Sequence, residues 1–282
     1  MTLENKYSAL LTLIREQQSV AVAFSGGVDS SFLCYAAFEA LGNKALAVTV
    51  VSPMLPQSEL QSAKALAAQV GLAHYLIENP HIEDEVAVNT KNRCYHCKKL
   101  EFNGIQKEAQ RWGAKVVLDG SNLDDLDDYR PGLKALQELQ ILSPLRAVGL
   151  RKAEIRELSR QLGLPTWNKP AFACLASRIP YGERIDHPKL TRIEKSEDWL
   201  RAFGFRQFRV RSHGDIARLE VAPGERSLFF NETALDEISR ALKSFGFLFV
   251  TFELEGYVMG SLNRTSRSSP SSRGSTDENS TF

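Results

Sequence analysis

The chain has 282 residues, 35 Lys and Arg against 34 Asp and Glu for a net charge of +1, and 43% hydrophobic residues. That balance describes a soluble globular protein and excludes collagen, coiled coil and wholesale disorder. Near neutrality removes the basic excess on which non-specific binding to nucleic acid or membrane depends, so neither is an expected partner.

The first residues mix acidic and basic side chains in an amphipathic pattern, without the apolar core or small-residue cleavage site of a secretory signal. The longest apolar runs, such as 45–51, fall far short of the ~20 residues of a membrane crossing. These features predict a cytoplasmic protein. In a reducing compartment Cys34, Cys94, Cys97 and Cys174 are core filler, metal ligands or reactive thiols, and not disulfides.

Residues 20–24 form a short apolar run, 30–41 carry helical periodicity ending at Gly42, and 45–51 are a second, β-branched run. Ser58 with Gln61 reads as a capping box for a helix ending at Val70. A strand at 74–77, a helix at 98–112 and a strand at 115–119 follow. The alternation predicts an α/β fold, a doubly wound parallel sheet with helices on both faces. A helix at 152–162 leads into an irregular segment, 166–182. Beyond it a helix at 190–203, strands at 205–212 and 216–221, a helix at 233–245 and a strand at 247–253 predict a smaller C-terminal α+β domain. Residues 261–282 hold only Leu262 and Phe282 as large apolar side chains and are expected to be a disordered tail. The expected organisation is a domain at 1–165, a connector at 166–182, the smaller domain at 183–260 and the tail.

Ser25-Gly26-Gly27-Val28-Asp29-Ser30 directly follows the first strand and precedes a helix. Adjacent glycines allow positive φ and close approach of a ligand, and the helix behind them offers unpaired N–H groups and a positive dipole. A plain tight turn is the alternative. The hydroxyls, the carboxylate and the position at the end of a strand favour a phosphate site. The lysine of GxxxxGK[ST] and the spacing of GxGxxG are both missing.

Cys94 and Cys97 stand in Arg-Cys-Tyr-His-Cys-Lys-Lys, where cations and a helix start are expected to lower the thiol pKa. Cys34 lies within the first helix of the sheet domain and is expected in the core. With Cys174, three thiols remain, too few for a closed four-thiolate site. A [4Fe–4S] cluster with one open iron, able to present hydrosulfide, is one reading. Zn2+ with His81, His96 or water as fourth ligand is another.

SGGVDS resembles the signature of the PP-loop ATP pyrophosphatases, the adenine nucleotide alpha hydrolase-like fold. The resemblance implies that Ser25, Gly26, Gly27, Asp29 and Ser30 bind ATP, with Asp29 on Mg2+. Further stretches, Asp-Asp-Tyr-Arg-Pro-Gly-Leu-Lys at 127–134 and Asn-Lys-Pro-Ala-Phe-Ala-Cys-Leu-Ala-Ser-Arg-Ile-Pro-Tyr-Gly at 168–182, resemble the LarE family over about residues 5–260. That resemblance implies adenylylation of the carboxylates of pyridinium-3,5-biscarboxylate mononucleotide and their conversion to thiocarboxylates for nickel-pincer cofactor synthesis. It also implies a sulfide source and a homo-oligomer, a hexamer. One kind of member sacrifices the sulfur of a cysteine at the position of Cys174. The other holds an iron–sulfur cluster on three cysteines, and Cys94 and Cys97 place this chain with it.

An anionic nucleotide calls for cations. Arg178, Arg209 and Arg211 offer planar forks, and the last two share one strand face. Ser177, Arg178, Arg209 and Arg211 are the expected substrate contacts. The acidic run 124–128 reads equally as a Mg2+ site or a solvated loop, and His187 and His213 read as loop residues. The competing functions are a PP-loop tRNA thiolase, against which the net charge weighs, and an ATP-binding module without turnover.

Overall fold

The computed structural model describes residues 1–127, 131–170 and 173–258. Asp128, Tyr129 and Arg130 of the acidic stretch, Ala171 and Phe172 beside Cys174, and the tail at 261–282 lie outside the described residues.

The N-terminal part runs α1 (Leu3–Glu16), β1 (Val20–Ala23), α2 (Val28–Leu41), β2 (Ala45–Val51), α3 (Gln57–Val70), β3 (Ala73–Glu78), α4 (Asp84–Ala87), α5 (Arg93–Trp112) and β4 (Val116–Leu118). The four strands form one parallel sheet in the order β3-β2-β1-β4. Alternate side chains point to opposite faces of a strand, and both faces are buried here. Val20, Val22, Ala45 and Ala47 pack with α1, α2 and α3 on one face, while Ala21, Leu46 and Val48 meet Phe102, Ile105 and Ala109 of α5 on the other. Helices α6 (Pro131–Glu138), α7 (Pro144–Ala147) and α8 (Lys152–Gln161) complete the two layers.

After a 3-10 turn at Leu175–Arg178 come α9 (His187–Phe203), β5 (Phe208–His213), β6 (Ile216–Val221), α10 (Glu232–Ser244) and β7 (Phe249–Phe252). β5 pairs antiparallel and β7 parallel with β6. Ile193, Leu200, Phe205, Phe208, Val210 and Leu242 form this part's core, joined by Leu175, Ala176 and Ile179 of the connector and by Met54 from beyond β2.

Three local expectations need correction. α5 begins at Arg93 rather than 98, so both cysteines of the CxxC pair lie inside the helix. The capping box is not formed: Pro56 holds the N-cap of α3, and the Ser58 hydroxyl is buried without a partner among the described residues. Proline's fixed φ starts that helix without a side-chain cap. His187 opens α9 and His213 closes β5, so neither is a loop residue. Among the described residues no helix is long and apolar enough to cross a membrane.

Candidate functional site

Ser25 to Ser30 leave the sheet at the C-terminal end of β1, between its neighbours β2 and β4, where an open α/β sheet leaves a crevice. Gly26 has φ +76°, and a Cβ built on it would lie 2.7 Å from the Glu59 carbonyl oxygen. Only glycine fits that position. Ser31 N–H makes the first helical bond, to Gly27 O, and the amides of Gly27, Val28 and Asp29 have no partner among the described residues, as an anion site requires. The hydroxyls of Ser25 and Ser30 are 3.2 Å apart, and Ser30 Oγ donates to Gly27 O. Gly120 packs against the loop from behind; a Cβ there would be 3.1 Å from Ser30 N.

Two lysines brace this loop. Lys152 Nζ meets Asp29 Oδ2 at 2.6 Å, and Lys169 Nζ donates to Gly26 O at 3.0 Å while pairing with Glu59 Oε2 at 2.9 Å. Asp29 Oδ1 is buried with no hydrogen-bond partner among the described residues. An unpartnered carboxylate oxygen beside an anion site fits a divalent cation such as Mg2+. The acidic run has local partners. Asp124 accepts from Arg151 Nη1 and from the Lys152 amide, and Asp125 accepts from the Asn122 amide.

Cys94 and Cys174 both lie by Arg93, which is 5% exposed. Its Nη2 lies 3.8 Å from Cys94 Sγ, and its Nη1 donates to Asn89 Oδ1 and to Ala176 O, two residues beyond Cys174. Cys174 lies close enough to both Arg93 and Cys97 to act on each electrostatically. Cys174 is exposed, Cys94 and Cys97 half-buried, and Cys34 buried in the core with its thiol pushed up by burial. The expected lowering of thiol pKa does not hold for Cys97. Burial, then the Glu101 carboxylate, push it well up, and its Sγ donates to Glu101 Oε1 at 3.5 Å. His96, a candidate fourth zinc ligand, pairs instead with Glu85, whereas His81 lines a small cavity with Cys97. Among the described residues no three His, Cys, Asp or Glu side chains stand ready to hold a metal. Three thiols free of disulfides, Cys94 and Cys174 beside Arg93 and Cys97 near Cys174, nevertheless suit an iron–sulfur cluster in donor chemistry.

The expected substrate arginines are buried. Arg178, 0% exposed, forms a bidentate pair with Glu197 (2.9 and 2.8 Å), and its Nη1 donates to Ala173 O, Cys174 O and Ser177 Oγ. Its donors hold the Cys174 turn and Glu197, because a buried guanidinium needs a full set of acceptors. Arg211 donates to Ser177 O and Glu220 Oε2. Arg209 stacks 4.9 Å over Tyr257 and donates to Phe208 O, its pKa lowered by burial and by Arg178. The structure thus assembles Cys94, Cys97, Cys174, Ser177, Arg178 and Arg211 about one turn, and the phosphate loop with its two lysines as a second group. Lys152, Lys169, Glu59 and Glu197 were given no role in the sequence reading, and Arg93 was read only as a cation flanking Cys94. The lysine in the 168–182 stretch was a signal within a quoted motif.

Residues 8–126 match the asparagine synthase family. The chain is 35% identical over 268 residues, 94% of its length and 96% of the relative's, to pyridinium-3,5-bisthiocarboxylic acid mononucleotide synthase of Lactiplantibacillus plantarum. It is 43% identical over 263 residues, 93% of its length and 98% of the relative's, to an uncharacterized protein of Synechocystis sp.. One component of the glutamine-hydrolyzing GMP synthase of Methanococcus maripaludis is 28% identical over 162 residues, 53% of this chain and 52% of that one.

Proposed function

This chain belongs to the LarE family of PP-loop, ATP-dependent sulfurtransferases, and from that membership we propose that it converts carboxylates of pyridinium-3,5-biscarboxylate mononucleotide to thiocarboxylates. A substrate carboxylate oxygen attacks the α-phosphorus of ATP, the bond from that phosphorus to the bridging oxygen breaks, and pyrophosphate leaves. A sulfur nucleophile then attacks the acyl carbon and expels AMP, leaving the thiocarboxylate. The observation that carries this reading is the loop itself: amides from Gly27 onward and an Asp29 oxygen alongside that have no partner among the described residues.

In this reading Ser25, Gly26, Gly27 and Ser30 hold the pyrophosphate and Asp29 its Mg2+. Cys94, Cys97 and Cys174 would hold a [4Fe–4S] cluster, which when bound presents a sulfide on its open iron; Zn2+ is the lesser alternative. Arg178 and Arg93 fix the turn carrying Cys174, and Ser177, Arg209 and Arg211, on that turn and β5, are the proposed substrate contacts. One observation favours a second route: Cys174 alone is exposed, while the Cys97 thiol is held protonated. Direct donation of the Cys174 sulfur would leave dehydroalanine, seen as loss of hydrogen sulfide mass from that peptide.

The test is pyrophosphate release from Mg-ATP with the pyridinium nucleotide, with bulk tRNA, and with neither. Stimulation by the pyridinium nucleotide, abolished by Asp29→Asn without loss of metal content, is expected. Stimulation by tRNA alone would refute the substrate assignment, and ATP binding without pyrophosphate release would make the chain a binding module.

A further inference from the structure

Lys169 is held at both ends. Arg156, on α8, donates to the backbone carbonyls of Trp167 and Lys169 at 2.6 and 2.7 Å, fixing the chain from which the Lys169 side chain extends. At the other end the ammonium sits between Gly26 O and the carboxylate of Glu59, itself 5% exposed. The same Glu59 supplies the carbonyl oxygen that excludes a Cβ at Gly26. Gly26, Glu59 and Lys169 therefore form one buried junction between the loop, the first turn of α3 and the connector.

A trans peptide carries its C=O and the following N–H on opposite sides of one rigid plane. Fastening the Gly26 carbonyl to Lys169 thus turns the Gly27 N–H away from Lys169, and this amide has no partner among the described residues. A glycine pair would otherwise sample many orientations of that plane. We infer that Lys169 is a positioning residue of the nucleotide site, which aims the Gly27 amide at the pyrophosphate by clamping the Gly26 carbonyl, with Glu59 holding its charge in place. The inference rests on the reading of the loop as the pyrophosphate site. It assigns Lys169 no contact with phosphate.

Removing Lys169 alone would strand the buried Glu59 charge, so Lys169→Met is paired with the double variant Lys169→Met/Glu59→Gln, which leaves no unpaired charge. Mg-ATP affinity is measured by calorimetry on the full chain at two salt concentrations, alongside the melting temperature. The double variant is expected to melt close to the parent, to bind Mg-ATP about tenfold more weakly, as loss of a charge-assisted hydrogen bond would give, and to show the parent's salt dependence. Lys169→Arg, which keeps a donor for the carbonyl, should recover most of the affinity. Unchanged affinity in the double variant would overturn the inference, and so would a loss that shrinks at high salt, because that is the signature of a direct phosphate contact. A parent protein that does not bind Mg-ATP would refute the reading of the loop instead.

Discussion

Arg178→Met separates two roles for this side chain. The guanidinium is fully buried and makes five hydrogen bonds, two to Glu197 and three to the 173–177 segment. Methionine preserves much of the volume but leaves Glu197, 2% exposed, without its bidentate partner and with only the Val210 amide and the charge of Arg209 to hold it. Breaking such a pair costs about 3–5 kcal/mol, a large share of the roughly 5–15 kcal/mol that holds a domain together. In a chain of this length that is a fall in melting temperature of roughly 10 °C. The pH dependence gives a second check. Burial raises the Glu197 pKa, but the charge and hydrogen bonds of Arg178 outweigh it, and the net shift is downward. A depressed folded value stabilises above the ordinary carboxylate range, and that stability is lost as pH falls through the folded value. Without Arg178, burial is opposed only by Arg209 and the Val210 amide, so the Glu197 pKa rises relative to the parent and the variant gains on acidification. The gap in urea-unfolding free energy is therefore expected to be widest near pH 7 and to narrow below about pH 5. Arg178→Met/Glu197→Met should regain much of the lost stability. A variant that melts like the parent and loses only affinity for the nucleotide substrate would refute the clamp and make Arg178 a substrate contact.

Gly26→Ala should cost about 1–2 kcal/mol through the left-handed φ alone; with its Cβ 2.7 Å from a carbonyl oxygen, pyrophosphate release is expected to fall at least about tenfold. Release within twofold of the parent would mean that the loop is not held in this shape during turnover. Cys94→Ala should abolish bound iron and thiocarboxylate formation while pyrophosphate release persists. Full iron and sulfide content in that variant, by chemical assay, would remove Cys94 from the ligand set.

The order of strands and helices was legible because β-branched runs and the closing glycines at 71 and 113 are local signals, and both glycines cap their helices in the left-handed conformation. The start of α5 was not. Arg-Cys-Tyr-His-Cys carries no apolar periodicity, and the cap residue Asn92 makes no side-chain bond. Reading Cys97 from its sequence neighbours misled for a geometric reason. On a helix the residue four positions on faces a side chain, and that residue is Glu101, not the adjacent lysines. The phosphate loop was visible as a motif, but its braces were not. Lys152 and Lys169 reach it from 123 and 143 residues downstream, and Glu197 lies 19 residues beyond its partner. No spacing rule links such positions, because the topology alone brings them together.

Those long spans set the order in which the nucleotide site takes shape as the chain is made. All six residues from Ser25 to Ser30 and the four strands beneath them leave the ribosome early. The turn around Gly26 acquires its buried brace only once residue 169 has emerged and α8 has docked. A fragment ending at residue 165 would carry the complete signature and the whole parallel sheet without that ammonium. Cutting the gene at the apparent edge of the sheet domain would yield a fold with the loop's sequence and without the contact that sets its shape.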